Sequence, residues 1–164
     1  MTAPVETAAR SPVGVLEVGG THLTAALVTQ RADQWMPGPA RRGVLDASAS
    51  AEELLQGFAA AMTAVDAPPD APWAIAIPGP FDYRSGIGLF DGVGKFDALL
   101  NIDVGSRLHA QLPRLAGGLT FLNDADAFAI GEWLQGVAAG AARCVGITLG
   151  TGIGSAFLDH GRPV

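Results

Sequence analysis

Two periods of apolar spacing alternate along the chain, and the switches between them outline its elements. Val13–Val18 is an apolar run rich in β-branched residues, broken by Gly19-Gly20-Thr21; residues 23–29 form a second run without helical period. The pair predicts strand, glycine-rich turn, strand. A third strand is expected over residues 34–42. Residues 48–65 carry Leu54, Leu55, Phe58, Met62 and Val65 at helical spacing, with Ser50 and Glu53 placed as a capping box. Residues 67–72 read as a proline-rich linker. Trp73–Ile77 predicts a short strand ended by Pro78-Gly79-Pro80. Residues 81–102 are glycine-rich and without period, and a loop of that length inside a compact domain is usually functional. A helix is expected over 103–112 and a buried strand over 119–122. Asn123-Asp124 then opens a helix to about residue 137. Arg143–Leu149 and Ile153–Asp159 predict strands around a Gly150-Thr151-Gly152 turn.

The two Gly-Thr turns share one grammar. LEVGGTHLTAALV and ITLGTGIGSAFLD each run apolar strand, Gly/Thr turn, apolar strand. This predicts two related halves, with the second only begun: an N-terminal tail over 1–12, a lobe over 13–140, and the first hairpin of a second lobe over 141–164. A hairpin without covering helices leaves an apolar face open, so self-association into a homo-oligomer is expected.

Composition narrows the function classes. Charged residues make up 16% of the 164, against about 25% in an average soluble domain, and much of the apolar content is alanine. No run approaches the roughly 18 apolar residues of a membrane span. Net charge is −6, and Lys95 is the one lysine among ten cations. Nucleic acid is therefore an unexpected partner, since it calls for a basic stripe. The single cysteine, Cys144, lies in an apolar run and reads as a buried thiol. Residues 1–12 lack the basic-then-apolar order of a secretory signal and read as a disordered tail, so a cytoplasmic location is expected.

Glycine turns let backbone N–H groups approach phosphate oxygens, and a threonine hydroxyl adds a donor. Two such turns facing one cleft would hold a nucleotide's phosphates from both sides; each alone is equally an ordinary hairpin turn. Asp124 ends a strand and begins a helix. It reads either as an N-cap or as a carboxylate facing the phosphate turns, able to accept a hydroxyl proton during phosphoryl transfer. Asp126 is expected to point to solvent. His22 and His160 flank turns and are expected to be exposed, Trp73 and Trp133 to pack, and Lys95 to lie in the long loop.

The first glycine-turn run, PGPFD at residues 78–82, NDADAFAIGEWLQG at 123–136 and ITLGTGIGSAFLDHG at 147–161 occur in an order that resembles the ROK family. That family comprises sugar kinases such as glucokinase and, with an added helix-turn-helix, sugar-responsive repressors. The resemblance implies an α/β fold, a ribonuclease-H-like lobe of the actin/hexokinase-type ATPase with the start of a second lobe. It implies ATP-dependent phosphorylation of a sugar hydroxyl, with ATP and Mg²⁺ as cofactors and a sugar as the small-molecule partner. Asp124 then matches the catalytic base. Asp124 with Gly79, Asn101 and Asn123 match sugar-contacting positions. Gly19, Gly20 and Thr21 match the first phosphate motif, and Gly150, Thr151 and Gly152 the second.

Three departures qualify the match. The first phosphate motif begins with Glu17 where the family has aspartate working on the Mg²⁺ shell; the charge is kept but moved by one methylene. Asp126 replaces the usual asparagine. The family's zinc segment, its later sugar-binding residues and its adenosine pocket have no counterpart up to Val164, and His22, His109, His160 and Cys144 compose no zinc cluster. The 164 residues are accordingly expected to be an N-terminal portion, inactive alone. The alternative is a non-catalytic sugar-binding or degenerate ROK module acting through a partner. A ribonuclease-H-like nuclease ranks third, because glycine turns and an acidic balance favour phosphate cradling over strand cleavage. The repressor branch is disfavoured by that same acidity and by the lack of a helix-turn-helix pattern before Val13.

Overall fold

Alternating burial drives the first hairpin: Leu16 and Val18 are buried, whereas Glu17 between them is exposed on the other face. A computed structural model describes residues 11–32, 34–150 and 152–164; the expected tail over 1–12 and the Thr151 site position fall wholly or largely outside them. β1 (Val13–Val18) pairs antiparallel with β2 (His22–Arg31), placing Val18 opposite Leu23 across the Gly19-Gly20-Thr21 turn. The strand expected over 34–42 is in fact two. β3 (Gln34–Pro37) and β4 (Arg41–Val44) lie along different stretches of the same edge of β2. Gly38-Pro39 separates them, and a proline has no N–H with which to continue a ladder.

α1 (Ala51–Thr63) begins with the expected box: the Glu53 N–H donates to the Ser50 hydroxyl, and the Ser50 N–H to the Glu53 carboxylate. Its Leu54, Leu55, Phe58 and Met62 are buried against the sheet. β5 (Trp73–Ile77) runs parallel to β1 at the sheet centre. The glycine-rich stretch after it is more ordered than its lack of period predicts. It holds a small hairpin of β6 (Phe81–Asp82) and β7 (Ile87–Gly88) and a 3-10 turn over Asp97–Leu99. Phe81, Phe90 and Phe96 from this stretch enter the main core as a chain of tilted rings 5.4–6.3 Å apart. α2 (Val104–Gln111), capped by Asp103, leads to β8 (Leu119–Asn123), which pairs parallel with β5. The sheet order is β3-β2-β1-β5-β8, with β4 also on β2.

α3 (Asp124–Gln135) stops short of residue 137, and Val137 is exposed. Beyond it, β9 (Arg143–Leu149), β10 (Ile153–Asp159) and β11 (Arg162–Pro163) form a second, three-stranded sheet. Ala125 and Ala129 of α3 share a small core with Ala156 and Leu158. The helix sits close because Gly146 and Gly154 face it. A Cβ at Gly146 would come within 2.9 Å of the Ala129 Cβ, and one at Gly154 within 3.1 Å of the Ala125 Cβ. Gln135 ties the far end of α3 to the first sheet, its amide exchanging two hydrogen bonds with the Trp35 backbone on β3. Trp73 is buried, and Trp133 packs as expected, donating its indole N–H to the Ala141 carbonyl at 2.8 Å.

The other face of the second sheet is open. Along β9 the inward positions are Cys144, Gly146 and Thr148, while Val145, Ile147 and Leu149 point outward. Ile153 and Phe157 of β10 are exposed as well. Cys144 is half-buried rather than fully enclosed. No helix among the described residues is long and apolar enough to cross a membrane.

Candidate functional site

The carboxyl ends of the parallel strands β5 and β8 open onto a cleft of about 570 Å³ between the first sheet, α3 and the second hairpin. Strand ends in an open α/β sheet are where crevices form and ligands bind. Glu17, Gly19, Gly20 and Thr21 line one wall, and Gly150, Gly152 and Gly154 the other, with Gly79, Asn123 and Asp124 between them. The structure thus brings together the sequence-predicted residues, apart from two. Thr151 lies outside the described residues. Asn101 is exposed, sits at φ 58° beyond β7, and is not among the residues lining the cleft.

Each turn spends its first glycine on closing itself. The Gly19 N–H donates to the His22 carbonyl at 2.9 Å, and the Gly150 N–H to the Gly152 carbonyl at 2.9 Å. The backbone donors left for an anion on the first turn are therefore those of Gly20 and Thr21. The Thr21 hydroxyl pairs with His22 Nδ1 at 2.7 Å, and His22 and His160 are exposed as expected.

Asp124 is not the helix cap. That position belongs to Asn123, whose Oδ1 accepts the N–H groups of Ala125 at 2.9 Å and Asp126 at 3.2 Å. Asp124 occupies the first helical position, half-buried, with Oδ1 accepting the Ala125 N–H at 2.9 Å. Its carboxylate is one of two in the cleft, the other being Glu17. Among the described residues no three His, Cys, Asp or Glu side chains converge as a metal cage. An exposed carboxylate such as Glu17 beside a glycine turn with free backbone donors does suit Mg²⁺, which is commonly held by one or two carboxylates together with water and substrate phosphates.

Asp126 departs from the expected solvent-facing position. It is partly buried, and that burial, followed by the charge of Asp124, raises its pKa above the usual aspartate range. The folded chain keeps this proton to higher pH than the unfolded chain does. Its contribution therefore weakens the fold as pH rises from the ordinary aspartate range through the raised value. Replacing Asp126 with asparagine is expected to remove that loss. The measurement is urea denaturation of both proteins from pH 4 to pH 7, with the variant gaining on the wild type as pH rises; a constant difference between the two would contradict the assignment.

Two cleft residues receive no functional role from the sequence alone. Arg42 lines the cleft because β4 places it opposite Thr24, which itself stands opposite Glu17; the three form a cross-strand row on the cleft side. Lys95 reaches the cleft from the ordered loop. Neither forms an ion pair among the described residues. Lysine in a long loop was a visible signal, whereas Arg42 depends on a strand register that its sequence neighbours do not reveal.

A family model described as the ROK family matches residues 13–164. A glucokinase of Thermotoga maritima is 32% identical over 151 residues, covering 91% of this chain and 44% of its own length. An inorganic polyphosphate/ATP-glucomannokinase from Arthrobacter sp. strain KM superposes with a TM-score of 0.78 at 28% identity, over 94% of this chain and 61% of that one. A ROK family glucokinase from Streptomyces griseus, solved with glucose and AMPPNP, shares the fold at a TM-score of 0.72 and 20% identity, over 94% and 46% of the two chains. The central sheet with its flanking helices is the ribonuclease-H-like α/β lobe of these kinases. The chain spans about half the length of the relatives it matches.

Proposed function

The chain belongs to the ROK family, and on that premise we propose that it is the sugar-binding and phosphate-binding part of an ATP-dependent sugar kinase. Residues 13–140 are the first lobe and 141–164 the start of the second. The observation that carries this reading is the position of Asp124, in one cleft with both glycine turns and at the end of β8. A carboxylate there accepts the proton of a sugar hydroxyl as its oxygen forms a bond to the γ-phosphorus of ATP. The bond from that phosphorus to the bridging oxygen breaks, and ADP leaves. Asn123 and Gly79, which line the cleft, hold the sugar, whereas Asn101 stands outside it. The Gly19-Gly20-Thr21 turn, through the N–H groups of Gly20 and Thr21, holds the donor's phosphates from one side, and the Gly150-Thr151-Gly152 turn from the other. Bound Mg²⁺ supplies charge neutralisation on the transferring phosphoryl group. Glu17 would hold that ion through its water shell, and Arg42 and Lys95 add positive charge to the cleft. Such an enzyme works in the cytoplasm, on a nucleotide pool and a small sugar. The test is phosphorylation of glucose by the native protein with ATP and Mg²⁺, followed by coupled detection of ADP and of sugar phosphate. ADP release without sugar phosphate contradicts the reading.

A second reading has its own observation. Val145, Ile147, Leu149, Ile153 and Phe157 leave one face of the second sheet apolar and exposed, which soluble monomers rarely tolerate over a contiguous area. A module of this kind would bind sugar and act through whatever covers that face. The 164-residue chain is expected to self-associate on this surface. Replacing Ile147 and Ile153 together by threonine should shift it toward monomer in light scattering across a concentration series; a wild type that stays monomeric at high concentration contradicts this.

A further inference from the structure

Tyr83 is the only tyrosine of the chain and lies outside the cleft lining, yet it joins the two strand ends on which the site is built. Its hydroxyl lies 3.0 Å from Asn123 Nδ2 and 3.3 Å from the Ile77 carbonyl oxygen. Ile77 and Asn123 are register partners, the last pair of β5 and β8 before the strands part into the Pro78-Gly79 turn and α3. The direction of the bonds is fixed by the cap. Asn123 Oδ1 is committed to the Ala125 and Asp126 N–H groups, so only its NH₂ edge can face Tyr83. The tyrosine oxygen therefore accepts from Asn123, and its O–H donates to Ile77.

The surroundings hold Tyr83 in place. Its ring packs against Phe81 with centroids 5.4 Å apart, and Phe81 in turn against the buried Phe121 of β8 at 5.2 Å. A Cβ at Gly79 would come within 3.3 Å of the Tyr83 hydroxyl, so the turn passes directly over it. Burial raises the pKa of the hydroxyl above the usual tyrosine value, against the lowering effect of the Asn123 hydrogen bond. One Asn123 N–H is taken by Tyr83; the other has no partner among the described residues, on a side chain that lines the cleft.

We propose that Tyr83 is a positioning residue of the sugar site: it clamps β5 to β8 and holds the Asn123 amide so that its second N–H is presented to a sugar hydroxyl beside Asp124. The link to sugar rests on the kinase reading above; the clamp itself does not. Tyr83→Phe keeps the ring and its packing and removes only the hydroxyl. Asn123→Ser keeps an N-capping oxygen and removes the amide.

Both variants and their combination are to be made in the native protein, with glucose and ATP·Mg²⁺ as probes. Tyr83→Phe is expected to raise the glucose KM about tenfold, with kcat within about threefold and the ATP KM unchanged. The double variant is expected to be no worse than Asn123→Ser, because the tyrosine acts through the asparagine. Multiplying effects in the double variant would overturn the proposal. A rise in ATP KM matching that in glucose KM would do so too, since it marks a general structural loss. A second readout needs no activity. Tyrosinate absorbance of the 164-residue chain after a rapid rise in pH reports Tyr83 alone, and Asn123→Ser should raise its ionisation midpoint. An unmoved midpoint overturns the clamp. If the wild type phosphorylates no sugar, the kinase reading fails while the absorbance measurement still decides whether the clamp exists.

Discussion

Asp124→Asn in the native protein is expected to leave glucose binding within about twofold of the wild type and to lower kcat by roughly 10³-fold, the range removed with a general base. The size of the effect follows from geometry. Asparagine keeps an oxygen to accept the Ala125 N–H that Asp124 now holds at 2.9 Å, so the start of α3 is preserved. The capping that competes as an explanation for an aspartate in this position is done by Asn123. What asparagine cannot do is take a proton. Calorimetry for glucose together with steady-state turnover checks the split; a parallel loss of binding and turnover would make Asp124 a structural residue.

Glu17→Ala is expected to lower kcat by about 10²-fold while leaving the glucose KM unchanged, and to raise the Mg²⁺ concentration needed for half-maximal rate. Glu17 is exposed on the cleft side of β1 between two buried residues, so its removal opens no cavity in the core. Its place in the Arg42–Thr24–Glu17 row puts its charge beside the first glycine turn and on the same side of the sheet as Arg42, which forms no ion pair among the described residues. Glu17→Asp shortens the side chain by one methylene toward the family's usual residue, and Mg²⁺ is demanding about ligand geometry. That variant is expected to be at least as fast as the wild type. Kinetics over a Mg²⁺ series tests both; an alanine variant with unchanged Mg²⁺ dependence would remove Glu17 from the metal's surroundings.

The parts of this molecule that read clearly from sequence are those set by local pattern. Both hairpins follow from β-branched runs interrupted by Gly-Thr turns, and α1 from helical spacing plus a Ser50–Glu53 box whose bonds are both made. The candidate site was legible because most of its residues sit at strand ends and turns that carry glycine or Asn-Asp. What was not legible depends on partners distant in sequence. Tyr83 meets Asn123 forty residues away, and Arg42 reaches the cleft only through the register of β4 on β2. Asp126 is partly buried because α3 lies between two sheets, a fact its own turn of helix does not announce. The glycine-rich stretch after β5 looked structureless because its core residues, Phe81, Phe90 and Phe96, follow no period.

The measurement closest to the central claim is the fate of the γ-phosphate. Native protein is incubated with glucose, Mg²⁺ and ATP labelled at that phosphate, beside the Asp124→Asn variant at equal concentration. The account predicts label in a hexose phosphate with the wild type and almost none with the variant. Label found only in inorganic phosphate, or equally in sugar with both proteins, would contradict it.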